Sequence, residues 1–283
     1  METSLQSDLG TVYAATIQGA RNQQQDAVRI RWLTDEAAWL IVLADGMGGH
    51  AAGDLASKIA VDSFVGAFAS MREGDAGLEE SFRSALDDAN ARIAAVQSAR
   101  PETRGMGTTL VAAHISGQGL RWVSVGDSLL MIYRDGAVAH LNEDHSLRSL
   151  SAEARGDAAA NMLTSALSGG PIHKIDLHLD PLPVGVGDLL IVASDGVLSI
   201  TDEQIAGVLS SAPVVEVGAM TEALIDSVNL AEKPHQDNCT IAMFSPSAER
   251  APTRSRFKVI LGGMLVLAAL GAAAAFAVHR LYF

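Results

Sequence analysis

Four aspartates stand at the ends of four apolar stretches of this sequence. Asp45 and Asp195 each follow an apolar run and precede a glycine, Asp127 follows the run at 120–125, and Asp237 precedes the run at 240–244. Apolar runs of this length, bounded by glycine and polar residues, predict buried strands. Like charges cannot stay close together in a buried place unless they take up protons or bind cations. The pattern therefore predicts a cation site if these strand ends converge.

An Asp-Gly pair after a strand has a simpler explanation, because this dipeptide most often marks a turn. Its repetition, at Asp45-Gly46 and again at Asp195-Gly196, favours a site. Glycine also lets the backbone approach an ion closely and present its carbonyl as a ligand. Arg21 carries a fixed charge and five N–H donors, which suit a phosphoryl group; the alternative is a solvated arginine at a turn.

Strand and helix patterns must position these residues. The apolar runs at 11–17 and 27–32 predict two strands paired as a hairpin, with Arg21 and Asp26 near its bend. Apolar residues at helical spacing predict further elements. These are helices over 51–70, 78–97, 201–210 and 215–231, with a capping-box candidate at 201–204. Blocks of helix between blocks of strand predict an α+β fold with stacked sheets and helices outside.

Composition narrows the class of protein. The chain has 283 residues, 48% of them apolar, which allows one large core plus an appendage. Its single cysteine, Cys239, excludes an internal disulfide and favours a reducing compartment. The net charge of the whole chain is −13. Residues from Glu249 onward carry +4, so residues 1–248 carry −17. A domain this acidic is a poor partner for nucleic acid.

The C-terminal part predicts a membrane anchor. Residues 259–278 are 20 uncharged residues, which as a helix extend about 30 Å, the thickness of a bilayer's hydrocarbon core. Basic residues are more numerous before the run than after it, which favours a cytoplasmic N-terminal part, and the first ten residues lack a secretory signal. We expect a single-pass inner-membrane protein. Its predicted parts are a domain over 1–244, a linker over 245–256, a transmembrane helix over 257–278 and a tail over 279–283.

Eight short motifs occur in order and cover most of residues 10–244. They lie at 21–26, 44–50, 107–109, 124–128, 144–146, 163–167, 193–196 and 237–240. In this order they resemble the motifs of the metal-dependent protein phosphatases of the PP2C (PPM) family, specifically the bacterial serine/threonine phosphatases. The resemblance implies a four-layer αββα sandwich, in which two antiparallel sheets pack face to face between helices.

The resemblance also implies a binuclear Mn²⁺ or Mg²⁺ centre at one edge of the sandwich. Asp45 would bridge the two ions, the Gly46 carbonyl would bind one of them, and Asp195 and Asp237 would hold the other. Donors that are all oxygen, without a Cys or His cluster, suit these hard ions better than zinc.

Three further roles follow from the resemblance. Asp26 would support the metal site from behind the ligands, Asp127 would hold a third, weaker ion, and Arg21 would bind the substrate phosphate. The implied reaction is hydrolysis of phosphoserine and phosphothreonine in proteins, by in-line attack of a hydroxide that bridges the two ions. The implied partners are phosphoproteins and a bacterial Ser/Thr kinase that the phosphatase opposes.

Departures from the family pattern bear on activity. Gln24-Gln25 replaces an Asn-Glu pair found in many members, so the second ion has one charge fewer nearby. Met47 stands where eukaryotic members have a histidine, which leaves the proton donor open between His50 and a metal-bound water. Leu129 replaces a common arginine. The alternative function is a phosphoprotein-binding scaffold that turns over poorly or not at all; such a module would not need Asp45, Asp195 and Asp237 intact.

Overall fold

A computed structural model describes most of the first of two compact units, Met1–Ala251. The described residues are 3–48, 52–147, 162–211 and 216–247. Within them, no helix is both long and apolar enough to cross a bilayer. The predicted span at 257–278 lies outside the described residues, as does most of the stretch 149–170, for which we expect a flap or two short helices.

Twelve strands and four α-helices make up the described part of the chain. The strands are β1 Thr3–Ser7, β2 Gly10–Ile17, β3 Asp26–Leu33, β4 Ala38–Met47, β5 Gly107–Thr108, β6 Leu110–Ser116, β7 Gly119–Val125, β8 Leu129–Arg134, β9 Ala137–His140, β10 Asp176–Leu182, β11 Leu189–Ala193 and β12 Cys239–Pro246. The helices are α1 Ala52–Glu73, α2 Leu78–Ala99, α3 Asp202–Ser211 and α4 Val217–Leu230. The predicted capping box before α3 is present: the N–H of Thr201 donates to Gln204 Oε1, and the N–H of Gln204 donates to Thr201 Oγ1.

The strands form two antiparallel sheets. The first has the order β1-β2-β12-β11-β8-β9, and the second has the order β10-β7-β6-β4-β3, with β5 paired to β4. Helices α1 and α2 share a core with the second sheet, and α3 and α4 share a core with the first. A third core fills the space between the sheets. This is the expected αββα arrangement.

Strand β4 shows why a continuous apolar run is needed in the middle of such a sandwich. Its alternate side chains enter two different cores: Leu40 and Val42 pack with the helices, whereas Ile41 and Leu43 pack between the sheets. All four are fully buried. Because both faces of the strand are covered, the sequence shows no polar alternation until Asp45.

The predicted hairpin of the strands at 11–17 and 27–32 is wrong. Strand β2 pairs with β1 and β12 in one sheet, whereas β3 pairs with β4 in the other. The connection, residues 18–25, is longer than the usual hairpin loop of about two to five residues. This connection crosses from one sheet to the other at the end of the sandwich, and Arg21 lies within it.

Candidate metal centre and active site

A cavity of about 720 Å³ opens where several strands of the two sheets end. Six of the seven predicted site residues line it. These are Arg21, Asp45, Gly46, Asp127, Asp195 and Asp237. The seventh, Asp26, is 7% exposed and lies behind the wall. The structure therefore brings together residues that are far apart in the chain.

Asp26 and Asp45 lie directly opposite each other on the antiparallel pair β3–β4. Asp26 Oδ2 accepts a 2.7 Å hydrogen bond from the hydroxyl of Ser194, which follows β11 in the other sheet. Burial raises the pKa of Asp26 to about 7, and the Ser194 and Thr240 hydroxyls only partly oppose this. Asp26 thus joins the two sheets behind the wall of the cavity.

Asp45 is held by backbone contacts with the entry to β6. Its N–H donates to Thr109 Oγ1 over 2.9 Å, and its carbonyl accepts hydrogen bonds from the Thr109 N–H and the Thr108 hydroxyl. Thr109 Oγ1 also lies 2.7 Å from the hydroxyl of Ser128, beside Asp127. These hydrogen bonds hold the backbone of Asp45, so its carboxylate is positioned by bonds that do not involve the carboxylate oxygens.

The electrostatics of the cavity fit a cation. The pKa of Asp45 is raised well above its ordinary value by burial and then by the charges of Asp26, Asp195, Asp237 and Asp127. Asp26 Oδ1 is buried and makes no hydrogen bond within the described residues. Divalent cations would remove both penalties, and carboxylate and carbonyl oxygens are the donors that Mg²⁺ and Mn²⁺ prefer.

No closed cage of protein ligands is present in the described part of the chain. Among these residues, no three His, Cys, Asp or Glu side chains lie close enough to hold one ion by themselves. Magnesium usually keeps several waters and is bound through one or two carboxylates, so an open arrangement suits this class of ion.

Gly46, near the end of β4, packs against the first turn of a helix, and Asp195 begins a helical segment. A Cβ on Gly46 would lie 2.0 Å from the carbonyl oxygen of Gly53 in the first turn of α1. Only glycine lets α1 pack this closely against the end of β4. Asp195 opens the short 3₁₀ helix Asp195–Ser199 after β11. Asp195-Gly196 therefore marks a strand-to-helix transition, whereas Asp45-Gly46 lies inside β4 near its end, where Gly46 pairs with Thr108 of β5; neither pair is a hairpin turn.

Arg21 and Asp237 form an ion pair in the cavity. Arg21 Nη2 lies 2.5 Å from Asp237 Oδ2, and 56% of the arginine side chain is exposed. Asp237 Oδ1 accepts a hydrogen bond from the N–H of Asn238. An exposed guanidinium beside a group of carboxylates can also reach an anion that enters the cavity.

Asn238 has a structural role that sequence reasoning missed. Its Oδ1 accepts a 2.8 Å hydrogen bond from the N–H of Gln25, and its Nδ2 donates to the carbonyls of Gln18 and Gln23. The buried amide thus ties the 18–25 connection, which carries Arg21, to the start of β12. The motif at 237–240 includes Asn238, but nothing local in it shows which residues its amide contacts.

The sequence model of the protein phosphatase 2C family matches residues 17–237. This range contains the first seven motifs, the first residue of the eighth, and all seven predicted site residues. The chain belongs to the protein phosphatase 2C family. Its described fold agrees with this, since both have two antiparallel sheets between helices.

The chain is similar to bacterial members of the PP2C family. The chain is 31% identical over 217 residues to the serine/threonine protein phosphatase PstP of Mycobacterium tuberculosis, covering 73% of this chain but only 40% of PstP. It is 30% identical over 263 residues to the protein phosphatase PhpP of Streptococcus pneumoniae, covering 89% of this chain and all of PhpP. The crystal structure of the PstP catalytic domain, in complex with two manganese ions, superposes with a TM-score of 0.66 at 28% identity, over 83% of this chain and 97% of that one.

Departures from the PP2C pattern fall on the cavity walls. Gln25 and Met47 line the main cavity. Leu129 lines a neighbouring cavity of about 270 Å³, which shares Asp127 with the main one. His50, one of the two proton donors that the sequence left open, lies outside the described residues. Within the described lining of the main cavity, His173 is the one imidazole.

Proposed function

We propose that this chain is a metal-dependent protein phosphatase that hydrolyses phosphoserine and phosphothreonine in proteins. The observation that carries the proposal is the convergence of Asp45, Asp127, Asp195 and Asp237 on one cavity with Arg21. The four carboxylates come from four separate chain segments, and the pKa of Asp45 responds to the other three. Acidic residues that served only to solvate the surface would not need to converge on one cavity.

The proposed ligands are the oxygens of the cavity. Asp45 with the Gly46 carbonyl, and Asp195 with Asp237, would hold two Mn²⁺ or Mg²⁺ ions, and Asp127 a third, weaker one. When bound, such ions polarise a phosphoryl group and lower the pKa of a metal-bound water to a value near neutral. Asp26 supports this arrangement from behind, because its contact with Ser194 keeps β3 and β11 together.

Arg21 is proposed to bind the phosphate of the substrate. Its guanidinium is the fixed cation of the described cavity lining, and such a group offers paired N–H donors to phosphate oxygens. Its ion pair with Asp237 holds it beside the proposed centre. Met47, which also lines the cavity, has a thioether and cannot give a proton to the leaving serine or threonine oxygen.

The cavity has room for more of a substrate than its phosphate group. Its volume of about 720 Å³ lies within the range of sites that hold a whole small molecule, about 300–1,000 Å³. The apolar side chains of Met106, Met162 and Leu163 line one part of it. A phosphorylated peptide, whose side chains next to the phosphorylated residue can contact these apolar walls, suits the cavity.

We propose a location at the inner membrane, with the phosphatase domain in the cytoplasm and a single span at 257–278. A bacterial Ser/Thr kinase is the proposed opposing partner. The uncharged run at 259–278 and the basic residues before it support the anchor. The full chain should fractionate with membranes, and a chain that ends at residue 248 should be soluble and active. Membrane association of the truncated chain would refute the anchor.

The decisive experiment is hydrolysis of a phosphothreonine peptide by the full chain, with Mn²⁺ and with a chelator. Wild type should release phosphate only with Mn²⁺, and Asp45→Asn should lose this activity. Asp45→Asn keeps the size of the side chain, so a matched thermal unfolding curve would exclude misfolding. A wild-type rate no higher than that of Asp45→Asn, with peptide binding retained, would favour the phosphoprotein-binding scaffold.

A further inference from the structure

The loop that carries Asp127 has a backbone shape that only glycine adopts readily. Gly126 has a φ of +104°, and a Cβ there would lie 2.6 Å from Cγ2 of Thr109. Because Gly126 directly precedes Asp127, the orientation of its two peptide groups decides where the Asp127 carboxylate points. Whatever holds Gly126 therefore positions Asp127.

His145 holds Gly126 from both sides. The backbone N–H of His145 donates to the Gly126 carbonyl over 3.0 Å. The N–H of Gly126 donates in return to Nδ1 of the His145 ring over 3.2 Å. His145 is 1% exposed, so water does not compete for these bonds. One residue thus satisfies both polar backbone groups of Gly126.

The ring of His145 must be neutral for this contact. A backbone N–H can only donate, so Nδ1 accepts and the ring proton resides on Nε2. Burial and the charge of Lys174 lower the pKa of His145, which favours the neutral form. Within the described residues Nε2 makes no hydrogen bond, and Glu143 Oε2 is 3.8 Å away. The contact that matters is therefore at Nδ1.

The other side of His145 is attached to the cavity wall. Its carbonyl accepts two hydrogen bonds from Thr164, one from the N–H over 2.7 Å and one from the hydroxyl over 2.8 Å. Thr164 lines the main cavity, as does Asp127. A continuous path of hydrogen bonds therefore runs from Gly126, through His145, to Thr164 in the cavity wall.

We propose that His145 is a positioning residue that fixes the Asp127 carboxylate for a divalent cation and couples it to the cavity wall at Thr164. This inference rests on the proposed metal-dependent function. It predicts that the weakest Mn²⁺ binding step of the protein depends on the hydrogen-bond acceptor at Nδ1. Residues that orient a ligand in this way typically change metal affinity by about 10- to 100-fold when replaced.

Two amide substitutions separate this role from simple packing. In His145→Asn the side-chain oxygen can occupy the place of Nδ1, whereas in His145→Gln it reaches the place of Nε2. Mn²⁺ binding to the full chain is measured by calorimetry, with thermal unfolding in chelator as the second readout. The weakest binding step should weaken about 10-fold or more in His145→Gln and stay close to wild type in His145→Asn.

A double substitution tests the coupling to Asp127. In an Asp127→Asn background, His145→Gln should have no further effect on Mn²⁺ binding, because interacting residues are not additive. Equal Mn²⁺ affinities in His145→Gln and His145→Asn, or an undiminished effect in the Asp127→Asn background, would overturn the inference. If wild type itself binds no Mn²⁺, the proposed function fails first.

Thr164 supplies a second test if His145→Gln does not fold. Thr164→Val removes the hydroxyl bond to His145 at constant size, and Thr164→Ser keeps it. Thr164→Val should weaken the same Mn²⁺ step and Thr164→Ser should not. Identical Mn²⁺ titrations for these two variants would also overturn the inference.

Discussion

Arg21 and Asp237 are 216 residues apart in the chain, and their side chains meet at 2.5 Å in the cavity. Arg21 comes from the connection that crosses between the sheets, and Asp237 from the residues before β12. In the proposed mechanism Asp237 contacts a cation and Arg21 contacts a phosphate. The ion pair therefore links cation binding to phosphate binding. When both ligands bind, Arg21 must either leave Asp237 or contact it together with the cation.

Arg21→Ala should raise KM for a phosphothreonine peptide more than it lowers kcat. Hydrogen bonds to charged groups contribute about 1.5–3 kcal/mol, so we expect an increase in KM of about 10-fold or more. Steady-state kinetics at saturating Mn²⁺ provide the measurement. Arg21→Lys, which keeps the charge but not the planar guanidinium, should be intermediate. A loss confined to kcat would contradict the phosphate-binding role.

The metal-free protein should lose stability as the pH rises. The pKa of Asp26 is about 7 in the folded protein against an ordinary value of 3.8. Between these values the folded state binds more protons than the unfolded state, so stability is present at low pH and is lost toward pH 7. Tm in chelator should therefore fall from about pH 5 to about pH 8.

Asp26→Asn is the matched variant for this pH dependence. It cannot ionise, so its Tm should fall less over the same pH range. Part of the slope should remain, because the pKa of Asp45 is also raised. Saturating Mn²⁺ should flatten the wild-type curve as well. Parallel curves for wild type and Asp26→Asn would show that the Asp26 carboxyl does not titrate in this range.

Gln25→Glu should tighten Mn²⁺ binding and destabilise the metal-free protein. Gln25 lines the acidic cavity, so a carboxylate there attracts cations but repels the aspartates when no metal is bound. We expect an affinity gain of about 10-fold, which is 1.4 kcal/mol. Calorimetry and Tm in chelator report the two effects. Gln25→Met, which is neutral and of similar length, should show neither the tighter Mn²⁺ binding nor the loss of stability. If Gln25→Glu behaves like Gln25→Met, residue 25 does not lie close enough to the bound cation to affect it.

Asn238→Ala should destabilise the protein and disturb the phosphate site together. It leaves the N–H of Gln25 and the carbonyls of Gln18 and Gln23 without their partner, at a cost of about 2–4 kcal/mol. Because this connection carries Arg21, KM should rise in the same variant. Urea unfolding and kinetics measure the two. The exposed Asn229, on α4, is the control, since Asn229→Ala should change stability by less than about 0.5 kcal/mol.

Much of the fold followed from local patterns. The apolar run before Asp45 predicts a strand, and the structure has one over Ala38–Met47. Leu78 begins both the predicted and the observed second helix. Strand β10, Asp176–Leu182, was missed because it contains acidic residues, a histidine and a proline and its side chains are only partly buried. Leu177 and Leu179 do alternate with polar residues in this edge strand, but Pro181 ends the pattern after five residues.

By itself the sequence determined the elements, the family resemblance and the acidic groups at strand ends, because these depend on residue type and on spacing along the chain. Only the tertiary structure decided that β2 and β3 join different sheets, that Ser194 contacts Asp26 across them, and that His145 holds Gly126. Hydrophobic periodicity specifies which face of a strand is buried. It does not specify which strand becomes the partner. That choice depends on contacts between residues distant in sequence, and a local stretch of sequence does not contain the free energies of those contacts.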